Sequence, residues 1–226
     1  MIRLFDLIYF SGLLLIGLLL IPSCNKNCES GANDAYEFIL PVKLFPARDT
    51  FRIGDTIHVQ SEFSDEVFDR NRQRTFLLED FRFGPFCRIK RIDTTIAVDG
   101  LPDFYILLPQ NQNFDWVNLT SESTALNGEY TYSNSVYTLN YSVIPKKIGL
   151  YIFFFSSSID PANDRQDFPG RCSRATMWGI CTLNGGGDNN VDFLSRSPDP
   201  HYNTWVLEEP EDRFHRGGGY CFYVVE

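Results

Sequence analysis

Apolar side chains recur at every second position in three widely separated stretches of this chain, and a period of two admits one kind of regular structure. Ile57, Val59 and Phe63, with Ser61 in the same series, alternate with polar neighbours; Tyr137, Leu139, Tyr141 and Val143 do the same. Near the end, Tyr220, Phe222 and Val224 oppose Cys221, Tyr223 and Val225. Each stretch predicts a strand with one face toward a core, the last being a terminal strand that closes a sheet after the turn at residues 217–219. Residues 38–44, 76–86, 88–96, 103–108 and 150–155 are apolar runs bounded by Gly, Pro or Asp, and predict further strands. The turn-forming residues 145–149 lie between 137–143 and 150–155, which predicts a hairpin. No long helical period is present, although 191–195 and 207–214 have room for a turn or two. Composition agrees: 20 Phe, 11 Tyr and 3 Trp stand against 2 Met, and rings suit half-buried pleated surfaces.

The first residues differ from the rest. After Arg3 and Asp6, residues 7–21 form an uncharged apolar run of about 15 residues, short of the roughly 20 that a membrane-crossing helix needs but suited to the core of a cleavable leader. It ends in Leu20-Ile21-Pro22-Ser23-Cys24, which resembles the lipobox of bacterial lipoproteins: an aliphatic residue three before a cysteine and a small one just before it. The resemblance implies cleavage before Cys24, acylation of its thiol and a membrane anchor. Two or more acyl chains, at about 0.8 kcal/mol per buried methylene, hold such a protein firmly. Read without lipidation, Cys24 is an ordinary secreted cysteine open to pairing with Cys28. The expected organisation is a leader at 1–23, a flexible polar tether at 24–35 and one β domain at 36–226.

Residues 51–63 combine an aromatic, a Gly-Asp turn and an alternating strand. This resembles an early strand of the immunoglobulin-like modules of bacterial surface proteins and implies an antiparallel β-sandwich. Residues 156–219, rich in Asp, Asn, Gly and Pro, read as a long loop-rich insertion before the last strand. Five cysteines follow Cys24, and an exported chain makes disulfides the default. Cys172 and Cys181, close in sequence around a possible short strand, are the favoured pair, Cys87 with Cys221 the second, leaving Cys28 over.

The net charge of −9 is unchanged by loss of the leader, because Arg3 and Asp6 leave together. Such a surface repels nucleic acid, and the Arg70, Arg72, Arg74 cluster reads as a solvated loop rather than a basic stripe. Asp188, Asn190 and Asp192 have the spacing of the first calcium-loop ligands, yet Phe193 and Asp199 stand where that loop needs Gly and Glu, so a turn into a short capped helix is the expectation. His58, His201 and His215 fit no metal motif, no cofactor is indicated, and no Gly-x-Ser-x-Gly is present. Glu208, Glu209, Glu211 and Asp212 offer carboxylates but read as a solvated face. Trp178 is expected beneath the loop between Cys172 and Cys181, whereas Trp116 and Trp205, among polar residues, are the candidate contact aromatics.

These features lead to a non-catalytic envelope lipoprotein, on the outer membrane or periplasmic face, whose sandwich binds or supports a partner protein or glycan. The alternatives are an envelope hydrolase acting on polysaccharide or peptide through residues 156–219, and a protein that assembles through unpaired strand edges.

Overall fold

The computed structural model describes residues 35–226 apart from 111, 122, 160–165 and 172–175. The expected leader and tether, Cys24, Cys28 and Cys172 therefore lie outside the described residues. Among the described residues fifteen strands form one hydrogen-bonded network, and the first strand divides it into two sheets. The first seven residues of β1 (Tyr36–Phe45) run parallel to β14 (Met177–Leu183) in the back sheet, and its last three pair antiparallel with β3 (Ile57–Ser64) in the front sheet.

In the front sheet β3 continues to β12 (Val136–Pro145), whose far side carries β8 (Phe104–Leu107) and β11 (Thr131–Ser133). The back sheet is built on β13 (Gly149–Ile159) and β6 (Phe83–Arg91), joined over nine residue pairs. Beyond β6 lie β7 (Val98–Asp99), β10 (Ser123–Gly128) and the edge strand β9 (Phe114–Thr120). On its other side β13 meets β14 and β15 (Gly219–Val225), and β15 runs parallel to β2 (Thr50–Arg52). A hairpin of β4 (Glu66–Asp69) and β5 (Arg74–Leu77) extends the sheet past β1.

Aromatic rings join the two inner faces. Phe104 of the front sheet meets Tyr151 of the back sheet edge-on at 5.0 Å, Tyr137 meets Phe83 at 5.3 Å, and Tyr141 meets Phe114 at 5.1 Å. Such pairs contribute about 0.5–1.5 kcal/mol each beyond their buried area. The fold is thus a mainly β sandwich: alternation predicts its strands, and the immunoglobulin-like arrangement is what the resemblance at residues 51–63 implies.

Three expectations about local pairing are corrected. Strands β12 and β13 form no hairpin: they lie in different sheets, and residues 146–148 carry the chain between them. The corner is held by Lys146 N donating to the Asp103 carbonyl and the Tyr151 hydroxyl donating to the Lys147 carbonyl. Residues 76–86 are not one strand, because the chain turns at Asp80, whose φ is 48°, and the buried Tyr137 hydroxyl bridges that turn by accepting from Phe81 N and donating to the Leu78 carbonyl. Strand β6 instead runs unbroken through Cys87, and it tolerates Pro85 because β10 pairs it only at Phe86 and Cys87.

The expected disulfides are also corrected. Cys87, Cys181 and Cys221 are buried free thiols, so the Cys87–Cys221 bridge is not formed and Cys181 is unbridged, its expected partner Cys172 lying outside the described residues. For Cys87 and Cys221 strand parity gives the reason. Cys87 and Cys181 point into the core between the sheets, whereas Cys221 points to the opposite face of the back sheet.

Candidate ligand-binding groove

Alternation along β13 and β6 sends two sets of side chains in opposite directions. Tyr151, Phe153 and Phe155, with Cys87 and Ile89, enter the core between the sheets. Ile152, Phe154 and Ser156 on β13, with Arg88 and Lys90 on β6, occupy the other face. An apolar strand of this kind needs cover on both faces, and the chain between β14 and β15 supplies it. Three short helical segments, Val191–Arg196, His201–Val206 and Glu211–His215, place Leu194, Tyr202, Val206 and Phe214 over Leu150, Ile152 and Cys221 in a second, smaller apolar cluster. The predicted insertion is therefore a helical cap, with β14 as a strand of the main sheet preceding it.

Polar contacts fix the cap at several points. Ser197 donates to the Ile92 carbonyl at 2.5 Å, Ala97 N donates to Asp199 at 2.7 Å, and Asn190 donates its side-chain amide to the Cys221 carbonyl at 2.7 Å. At the far end Arg216 forms an ion pair with the buried Glu37 of β1, which also accepts from Arg70 at 2.6 Å. The return into β15 passes Gly218, whose φ is 62°; a Cβ there would stand 2.0 Å from the Phe155 carbonyl oxygen.

Between this cap and the back sheet lies a groove of about 300 Å³ lined by Arg88, Lys90, Phe154, Ser156, His201, Tyr202, Trp205, Val206, Arg213 and Gly217. Three of these are cations and none is a carboxylate. Arg213 is held at the rim by Glu209 at 2.9 Å and sits 4.2 Å from the centre of the Trp205 ring, against which His201 stacks at 4.8 Å. Arg88 lies 5.8 Å from the Phe154 ring, and its Nε, buried, has no hydrogen-bond partner. Among the described residues neither Arg88 nor Lys90 forms an ion pair with a carboxylate. Burial pushes the Tyr202 hydroxyl up to about 12, Asp199 adding to the shift and Arg88 opposing it, so the phenol remains a neutral donor at ordinary pH.

Of the contact aromatics read from the sequence, Trp205 lines the groove and is 47% exposed, while Trp116, 50% exposed, lies away from it on edge strand β9 opposite Leu126. Trp178 is not packed beneath a loop: it is 56% exposed, because alternation along β14 turns Met177, Cys181 and Leu183 inward and Trp178 out. The three histidines are dispersed. His58 shares a 2.9 Å hydrogen bond with Ser142 on the front sheet, His201 lines the groove, and His215 Nδ1 is buried without a partner. Residues 188–192 form a left-handed turn, with Asn189 and Asn190 at positive φ, leading into a short helix that has no side-chain cap. Among the described residues no group of three or more His, Cys, Asp or Glu could hold a metal ion. The arginine cluster is not a solvated loop either: Arg70 pairs with Glu37, and Arg72 pairs with the fully buried Asp69 at 3.1 Å and lies 3.6 Å from the centre of the Tyr36 ring. Glu208 and Glu209 flank Arg213 on the cap's outer side.

Arg88, Lys90, Ser156, Tyr202 and Arg213 were not singled out by motif. A signal for two of them is present in Cys87-Arg88-Ile89-Lys90, an alternation that puts both cations on the same side of a strand.

No protein-family model matches the chain, and no curated protein matches it. Solved structures similar to it include the second type II cohesin module of an adaptor scaffoldin from Acetivibrio cellulolyticus, 12% identical over 53% of this chain and 72% of that one, with a TM-score of 0.25. A non-cellulosomal cohesin from the archaeon Archaeoglobus fulgidus is 13% identical over 66% of this chain and 91% of that one, with a TM-score of 0.22.

Proposed function

We propose that this chain is a lipid-anchored envelope protein whose sandwich is a non-catalytic binding module, presenting the groove under its helical cap to a partner. The observation that carries the binding part is the lining of the groove: cations, aromatic rings and two hydroxyls converge there, and no carboxylate lines it. Concave sites with an apolar wall and a few convergent polar groups are the usual form of small-ligand sites. The anchoring part rests on the residues before Cys24, where a short apolar leader ends in an aliphatic, a small residue and cysteine.

Intact mass and membrane fractionation of the full chain beside Cys24→Ser, in a host that processes lipoproteins, test the anchor. The wild type is expected to lose residues 1–23, gain acyl mass and sediment with membranes, while the variant does none of these. Equal behaviour of the two chains overturns the anchor.

A further inference from the structure

The groove's ligand can be narrowed by charge, by the hydrogen bonds left open, and by size. Arg88 and Lys90 are brought together on the outward face of β6, and no carboxylate among the described residues neutralises either. A guanidinium and an ammonium so placed accept an anionic group, the guanidinium through two parallel hydrogen bonds to its oxygens. The protein's net charge of −9 opposes a long polyanion at a distance. That argues for a short ligand with few charges.

The backbone argues against a peptide. Peptides that bind sheets usually add a strand to an open edge, but the groove floor is a sheet face: β6 is paired with β13 on one side and with β10 and β7 on the other, and β13 with β6, β14 and β15. The floor therefore offers a ligand side chains only. The Ser156 hydroxyl and the Tyr202 phenol suit ring hydroxyls, and the half-exposed Trp205 ring, stacked with His201 and beside Arg213, adds an apolar edge to the rim. A volume of about 300 Å³ is at the lower end of small-ligand sites and matches one or two sugar rings.

We infer that the groove between the helical cap and strands β6 and β13 binds a mono- or disaccharide unit bearing a carboxylate, with Arg88 and Lys90 holding the acid and Trp205 flanking the sugar ring. This deepens the binding reading above and rests on it.

The test is titration calorimetry of the full-length protein with digalacturonate, with the equally linked neutral disaccharide, and with a glutamate dipeptide. Digalacturonate is expected to bind about tenfold or more tightly than the neutral sugar, as fits one charge-assisted contact. Arg88→Ala and Lys90→Gln should each weaken the acidic ligand about tenfold more than they weaken the neutral one. Trp205→Ala should weaken both, and Trp116→Ala neither. Because Arg88 is partly buried, Lys90→Gln keeps the test decisive should Arg88→Ala misfold. Equal affinity for acidic and neutral sugars, indifference to Lys90→Gln, or tighter binding of the dipeptide overturns the inference. Absence of sugar binding while Cys24-dependent membrane attachment persists overturns the groove assignment and leaves the anchor standing. Recovery of cleaved digalacturonate would overturn the non-catalytic reading while supporting the groove.

Discussion

The two faces of β13 are covered in different ways. Its inner side chains, Tyr151, Phe153 and Phe155, belong to a core built from regular strands of both sheets, Tyr151 meeting Phe104 and Phe222. Its outer side chains, Leu150, Ile152 and Phe154, meet one layer of short helical segments interrupted by Pro198, Pro200 and Pro210. The inner core is several-fold larger and apolar almost throughout, whereas the outer layer leaves room for Arg88 and Lys90 at its margin. Stability and ligand chemistry are thereby assigned to opposite faces of one sheet, and a small cover that can open locally is the place where charged groups cost least.

The largest expected effect falls on the inner face. Phe153→Ala should cost about 3–5 kcal/mol of global stability, read as a lower denaturation midpoint by both far-ultraviolet dichroism and aromatic fluorescence. Phe214→Ala, with the same chemistry in the cap, should move that midpoint far less, because a local cluster cannot lose more than its own opening free energy. Amides of residues 191–215 should then exchange well before those of β13. Equal midpoints for the two variants would break the distinction between the faces.

Gly218→Ala comes next, at about 2–3 kcal/mol, the range for strained backbone held by its surroundings. It puts a Cβ against the Phe155 carbonyl at a positive φ, and the strain should appear as cap release, with faster exchange at residues 211–218 while β6 remains protected.

Alkaline pH sharpens the comparison through the three buried thiols. Burial lifts Cys87 to about 12 from the ordinary 9.0 and lifts Cys181 and Cys221 in the same direction. The folded chain then keeps protons that the unfolded chain loses, so this contribution is complete below pH 9 and declines as pH rises towards 12. The slope is about 1.4 kcal/mol per pH unit for each such thiol, measurable by denaturant titration at successive pH values. With a thiol reagent at pH 8, peptide mapping should find Cys221 labelled with cap opening, and Cys87 and Cys181 only on global unfolding. Simultaneous labelling of all three would mean that the cap and the sandwich open as one unit.

The smallest effect is expected at Glu37. Its partners Arg70 and Arg216 have side chains 44% and 41% exposed and regain water when the acid is removed, so Glu37→Gln should cost about 1 kcal/mol rather than the 3–5 of a fully buried pair. Thermal melting checks this.

The alternating strands β3, β12 and β15 were legible because their period reports burial directly. Strands β9 and β10 were not, since an edge strand such as β9, with Asp115, Trp116, Asn118 and Leu119 all exposed, carries no clean inside and outside. The cap was legible only in part: short helical turns at 191–195 and 207–214 were expected, and Val191–Arg196 and Glu211–His215 are helical, but Leu194, Tyr202, Val206 and Phe214 are spread across three segments separated by prolines, so no helical period shows that they form one cover. Of the groove, the sequence reading reached Trp205 alone; Arg88 and Lys90 are ordinary outward strand residues until the cap is laid beside them.

Period-two alternation, a local property of each stretch, was enough to establish from the chain itself that it forms strands with one face in a core, and that Phe222 and Cys221 point opposite ways. Which sheet each strand joins, which cysteines share a face and what covers the outside of β13 were decided only in the tertiary structure. Paired residues of β6 and β13 lie 60 to 76 positions apart, and no local pattern encodes which distant strand supplies the matching hydrogen bonds.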